Sequence, residues 1–269
     1  MREEYQALVD EISTALGTPA TLEDRDFTLI AFGAHVGGEG SPDAELDPVR
    51  TRSILQRRST AAVREWFENF GIARAREPVR IPPDPAAGVR TGRLCLPVRQ
   101  GGVVYGYVWL LDDGALDLRD PRLAGAQQAA HRIGALLAAE ARTGAHAGEL
   151  LRELLVGAAA ERAEAAGALR ATLGAAADGP LAMVAVHPWG NGEASAAVPK
   201  DLPGVSAHCV PGGEGTALAV LVRLRGRDGL EPAHAVGRRL SGHAAAGVSP
   251  VRGGLAETAA TAWREARVA

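Results

Sequence analysis

Residues 92–113, GRLCLPVRQGGVVYGYVWLLDD, place β-branched and aromatic side chains on both sides of Gln100-Gly101-Gly102. Glycine takes positive φ at little cost, so such a run folds back on itself as a β-hairpin. A three-residue loop pairs Arg99 with Val103, and period-two alternation then sorts the side chains onto two faces. Leu94, Leu96, Val98, Val104, Val108 and Leu110 share one face; Arg93, Cys95, Tyr105, Tyr107 and Trp109 share the other. The aliphatic face requires a helical layer over it. The mixed face suits either a filled aromatic core, the commoner use of such rings, or a small-molecule pocket.

A chain of 269 residues can bury two separate cores. Seventeen basic and 20 acidic residues precede Gly144, and 12 of each follow, so neither half is a basic module for nucleic acid or an anionic membrane. The only cysteines, Cys95 and Cys209, fall on separate expected strands in different halves. A disulfide framework is therefore not expected, and a reducing compartment is the default. The opening MREEYQALVDE carries acids and no apolar h-region, and no apolar run approaches the roughly 20 residues that cross a bilayer. The expectation is a cytoplasmic protein without a membrane partner.

Along the chain, Tyr5, Leu8, Val9, Ile12 and Leu16 recur at helical spacing up to Gly17. Ala20–Glu23 and Phe27–Phe32 read as short strands around Asp24-Arg25-Asp26, and His35–Asp47 as a surface loop. Asp47-Pro48 and Ser59 or Thr60 open two helices, the second carrying Trp66, Phe67 and Phe70 and ending at Gly71. Pro78–Pro85 is expected to break regular structure. Asp120-Pro121 opens a long helix to Arg142 with an Ala- and Gly-rich stripe that fits close helix packing, within its own domain or against a second copy. Thr143–Gly148 reads as a junction, followed by short helices Glu149–Val156 and Ala160–Leu173. Leu181–Val186 has the composition of a strand buried on both faces. After a Pro188–Pro203 loop come strands Val205–Val210 and Thr216–Leu224, a helix at Pro232–Leu240, a strand at Ala246–Ser249 and a helix at Leu255–Val268, an α/β or α+β pattern.

Chemistry-bearing motifs are few. The seven histidines never fall at metal-ligand spacing with one another or with cysteine, no nucleophile elbow occurs, and no glycine run has the spacing that cradles phosphate. No catalytic residue, metal site or cofactor is assigned. Gly212-Gly213-Glu214-Gly215-Thr216 is similar to the GGDEF signature of diguanylate cyclases, but Gly215 and Thr216 replace the acid and the Phe. The strand LAMVAV also ends in His187 where a cyclase would supply a metal-binding Asp. Two divalent cations need more oxygen ligands than this offers, so the likeness implies a related fold without catalysis.

Five segments, ALGTPATLEDRDFTLIAFG, REWFENFGI, RLCLPVRQGGVVYGYVWLLDD, ELLRELLVG and GVSPVRGGLAETAATAWREAR, occur in an order and spacing that span nearly the whole chain. In these the chain resembles the sensory portion of PucR/CdaR-type bacterial transcriptional regulators. The resemblance implies an α+β protein: a GAF/PAS-like antiparallel sheet domain over residues 1–143, then a degenerate GGDEF-like α/β domain over 149–269. It further implies a C-terminal helix-turn-helix that would follow Ala269. In such a regulator the first domain senses a small-molecule effector, the second relays or dimerises, and DNA is met only through the helix-turn-helix. A homodimer is the expected assembly.

The expected pocket lies between the mixed hairpin face and the aromatic helix, at Phe32, Trp66, Phe70, Arg93, Cys95, Tyr107 and Trp109. Arg93 fits either a partner for a carboxylate or phosphate or an edge-strand surface charge. Two other functions fit the same residues: a dimerisation scaffold with a filled core and no ligand, and a GAF-fold redox enzyme using Cys95.

Overall fold

The computed structural model describes residues 2–33, 47–112, 114–190, 198–199, 202–212, 216–226, 229–242, 244–252 and 254–269. Outside these lie residues 35–46 of the expected acidic loop, Asp113 at the end of the hairpin run, residues 191–197, 200 and 201 of the Pro188–Pro203 loop, and Gly213, Glu214 and Gly215 of the signature-like turn. The chain divides into two units, residues 1–140 and 141–269.

The first unit begins with helix α1 (Arg2–Leu16), whose Tyr5, Leu8, Val9, Ile12 and Leu16 are all buried. Strands β1 (Ala20–Asp24) and β2 (Leu29–Phe32) follow, then helices α2 (Pro48–Gln56) and α3 (Ala61–Glu68). Strands β3 (Val79–Ile81), β4 (Arg93–Gln100) and β5 (Val103–Leu111) complete a sheet of order β2-β1-β5-β4-β3, antiparallel throughout. Leu22, Leu94, Leu96, Val98, Val108 and Leu110 bury one face against α1 and the first part of α4 (Pro121–Val156). Each fully buried aliphatic side chain of this kind contributes about 1.5–3 kcal/mol. On the other face Cys95, Tyr107 and Trp109 meet Phe27, Val63 and Phe67. Both faces are covered, so all five residues of β1 are buried, Glu23 among them.

Three local expectations change. The hairpin loop has two residues, with Gly101 at φ 56° and Gly102 at φ 82°, so Gln100 pairs with Val103 and Arg99 with Val104. A bulge between Val98 and Arg99 restores the register at Val98–Gly106. The bulge inverts alternation near the turn: Val104 packs with the aromatic face and Tyr105 with the aliphatic one, the reverse of the sorted scheme. Secondly, the proline-rich Pro78–Pro85 stretch contains β3, because Val79, Arg80 and Ile81 carry no proline and pair with Cys95, Leu94 and Arg93. Thirdly, β2 starts at Leu29 rather than Phe27. The Asp24 carboxylate accepts from the backbone N–H groups of Asp26 and Thr28, both at 2.9 Å, and closes a turn that holds Phe27 at φ 61°.

The second unit contains the last part of α4, then α5 (Ala159–Leu173), β6 (Leu181–His187), β7 (Val205–Cys209), β8 (Leu218–Arg223), α6 (Glu231–Ser241), β9 (Ala245–Val251) and α7 (Leu255–Ala266). Its sheet has order β7-β8-β6-β9 and is antiparallel at every pairing, which makes the unit α+β. Leu151, Leu154, Leu169 and Trp263 bury one face of that sheet, and Ala233 and Val236 of α6 bury the other. The expected junction at Thr143–Gly148 is helical, part of the unbroken α4. It contains no proline, and Gly148 has a packing reason: a Cβ there would lie 2.6 Å from the carbonyl oxygen of His208.

Gly134 and Gly125 of α4 separate packing from propensity. A Cβ on buried Gly134 would overlap the Arg99 backbone, whereas Gly125 faces open space. Gly134→Ala is expected to cost about 1–3 kcal/mol, and Gly125→Ala to stabilise by up to about 1 kcal/mol, both read by urea unfolding. Equal effects of the two substitutions would contradict this packing.

Candidate functional site

The mixed face of the hairpin is closed by rings. Phe27 stands 5.4 Å from Tyr107 and 5.9 Å from Trp109, and Phe67 stands 4.5 Å from Trp109. Such pairs each contribute about 0.5–1.5 kcal/mol beyond area burial. Of the seven expected pocket residues, Arg93, Cys95, Tyr107 and Trp109 share this face and are buried. Trp66 and Phe70 pack edge to face at 5.0 Å, half-buried against the same cluster. Phe32 stands apart on β2, 41% exposed. Cys95 is wholly buried, and burial pushes its thiol well up. Burial likewise raises the Tyr107 hydroxyl to about 12.

Beside the rings, under α2, lies a group of charged and hydroxyl side chains. Glu23 is 2% exposed on β1, opposite Tyr107 across the ladder. One carboxylate oxygen accepts from Ser59 Oγ and the other from Trp109 Nε1, each at 3.0 Å. Ser53 Oγ is 3.0 Å from Ser59 Oγ. Arg93 donates to Asp47 Oδ1, which also caps α2 by accepting from the Arg50 backbone N–H at 2.8 Å. Arg93 is therefore buried and paired rather than a surface charge, because β3 covers the strand edge it would have occupied. Arg50 donates to the Gly33 carbonyl at 2.8 Å. Asp47 Oδ2 and Arg50 Nε are buried with no hydrogen-bond partner among the described residues.

These groups surround a cavity of about 10 Å³ bounded by Thr21, Glu23, Arg50, Ser53, Arg93 and Trp109. That is room for one water. Burial pushes the Glu23 carboxyl up to about 7; hydrogen bonds from Ser59, Ser53 and Trp109 oppose the rise without cancelling it, and the nearby Asp24 charge adds to it. Burial holds Arg50 below its ordinary value, the neighbouring Arg93 charge adds to that, and Asp47 opposes both.

An outer cleft of about 320 Å³ lies between α2, the start of α3 and the Asp84–Val89 turn. Val49, Ser53 and Ser59 border both spaces, so the two serines form the partition between cleft and inner chamber. The sequence points to Asp47 and Ser59 only as helix-opening residues, and Glu23, Arg50 and Ser53 join the site without any expectation of a role there. The available signal was Glu23 itself, an acid in the short strand Ala20–Asp24 that both faces of the sheet bury.

In the second unit His208 and Cys209 sit on β7. Burial lowers the His208 imidazole and raises the Cys209 thiol to about 12, so the thiol is not activated as a nucleophile. No three His, Cys, Asp or Glu side chains converge as metal ligands among the described residues, and no described helix is long and apolar enough to cross a membrane. No protein-family model matches the sequence, and no curated protein matches it.

Glu23 sets a pH dependence. Its carboxyl goes from an ordinary value of 4.5 in the unfolded chain to about 7 in the fold, so the folded state keeps a proton that the unfolded state has released. The associated stability is fully present below pH 4.5 and is lost as pH rises through 7. Relative to Glu23→Gln, the wild type should lose about 2–3 kcal/mol between pH 5 and 8. Urea unfolding across that range checks it, and parallel pH profiles for the two proteins would contradict it.

Proposed function

We propose that this chain is the signal-responsive regulatory region of a PucR-type transcriptional regulator, with effector binding in the first unit and relay or dimerisation in the second. DNA is then met through a helix-turn-helix outside this sequence. The observation that carries the reading is the polar chamber beneath α2: Glu23, Asp47, Arg50 and Arg93 beside a face otherwise filled with aromatic rings. Buried ion pairs stabilise a fold no better than apolar side chains of the same volume. Two of these groups keep a polar atom with no partner among the described residues, and one carboxyl is poised near neutrality. Such arrangements concentrate where a protein receives a ligand.

Two α+β units with antiparallel sheets accord with the sensory and middle domains of such regulators, and α4 contributes side chains to the core of each. An effector shifts such a protein only by binding one of two arrangements more tightly than the other. One observation favours the alternative of a ligand-free dimerisation scaffold: the inner chamber holds no more than a water as it stands. Cys95 offers no support for redox chemistry, since a reactive cysteine is exposed and acidic whereas this one is neither.

A thermal-shift screen of the full chain against amino acids, nucleobases, sugars and organic acids separates the readings. A ligand at about 100 times its Kd adds about 2.7 kcal/mol, which raises Tm by several degrees. The regulatory reading expects such a rise for at least one class. No rise with any class would leave the scaffold.

A further inference from the structure

We propose that the outer cleft binds a small carboxylate that also carries an N–H or O–H donor. Its donor meets the Ser53–Ser59 partition and its carboxylate meets Arg52 and Arg90. This rests on the reading of the first unit as an effector-binding domain and gives that effector a chemical class.

The hydroxyl floor fixes the polarity of one end. Ser59 commits its proton to Glu23 at 3.0 Å, and the Ser53 proton goes either to Ser59, 3.0 Å away, or to Glu23. While Glu23 is ionised, both arrangements leave the serines only lone pairs to offer the cleft, so the group that meets them there is a donor. The cleft edge fixes the other end. Arg52 and Arg90 both border it, and among the described residues neither makes an ion pair and no acidic residue lines the cleft. Guanidinium groups at a cleft edge favour a planar carboxylate, which their forks can bond in bidentate fashion. Val49 and Val63 supply apolar walls between the two ends.

Size and rigidity support the same class. The cleft, at about 320 Å³, falls at the small end of ligand pockets. The far wall is preformed: Asp84 and Val89 exchange two backbone hydrogen bonds of 2.8 Å, and the Gly88 N–H bonds the Pro85 carbonyl at 3.1 Å. Because Ser59 is shared with Glu23, occupancy of the cleft alters the hydrogen bonding of the buried acid. The Trp109 indole, bonded to the same carboxylate, reports that change.

Calorimetry on the full chain at pH 8, where Glu23 is ionised, with N-acetylglycine, N-acetyl-leucine and N-benzoylglycine tests the class. Each is compared with its methyl ester, which lacks the charge, and its N-methyl analogue, which lacks the donor. At least one free acid should bind, with both modified forms at least tenfold weaker. Arg52→Glu combined with Arg90→Glu, both at exposed positions that leave the core intact, should weaken binding at least tenfold. An ester as tight as its acid, an unaffected double variant, or no binding by any acid would each overturn the proposal. If no acid binds but another compound class raises Tm in the broader screen, the ligand class fails and the sensory reading stands. If nothing raises Tm, both fail.

Discussion

A buried carboxyl that makes no ion pair among the described residues, set against a wall of rings, is the interaction on which the first unit turns. Glu23 is held by two donors from opposite directions: the Trp109 indole from the neighbouring strand and the Ser59 hydroxyl from the link between α2 and α3. The link is tied to the sheet by its backbone as well. Leu29 N–H bonds the Arg57 carbonyl at 3.0 Å, and Ser59 N–H bonds the Phe27 carbonyl at 3.2 Å. At the other end of α2, Asp47 caps the helix and pairs with Arg93 of β4. The nine-residue α2 is thus fastened at both ends by polar contacts. Its buried side chain is a serine. A helix held this way owes little to apolar packing, and changes in charge or hydrogen bonding beneath it act on it directly.

Those same contacts give the chamber and the cleft a common wall. Ser53 and Ser59 face the carboxylate on one side and the open cleft on the other, so a ligand need not enter the small inner space to affect it. The filled aromatic cluster and the responsive polar group are then neighbours with different duties: the rings fix the sheet, and the polar group varies with what surrounds it.

Much of the architecture was legible because it rests on periodicity. The spacing of Tyr5, Leu8, Val9, Ile12 and Leu16 placed α1, and the apolar run Leu181–Val186 identified an inner strand of the second sheet. What escaped was set by local exceptions to periodicity. The bulge at Val98 exchanged Val104 and Tyr105 between faces, and β3 hid among prolines. The glycines at Gly144 and Gly148 looked like a junction although α4 runs through them. The site was partly legible. Arg93 and Trp109 were picked out by their place on the hairpin, but the partners that give them meaning come from elsewhere in the chain. Asp47 lies 46 positions from Arg93 and Glu23 lies 86 from Trp109, and nothing in the composition of either segment announces the pairing.

The polar chamber beneath α2 depends on Glu23 being a buried, reluctantly charged partner of Trp109. The Trp109 indole N–H resonance, identified among the four tryptophans by Trp109→Phe, can be followed in proton–nitrogen spectra from pH 4 to 9. A donor to a carboxylate that ionises inside the fold should shift with a single midpoint close to 7. A midpoint near 4.5, the value of a carboxyl in water, or an indole signal that does not move, would contradict the buried pairing and the reading built on it.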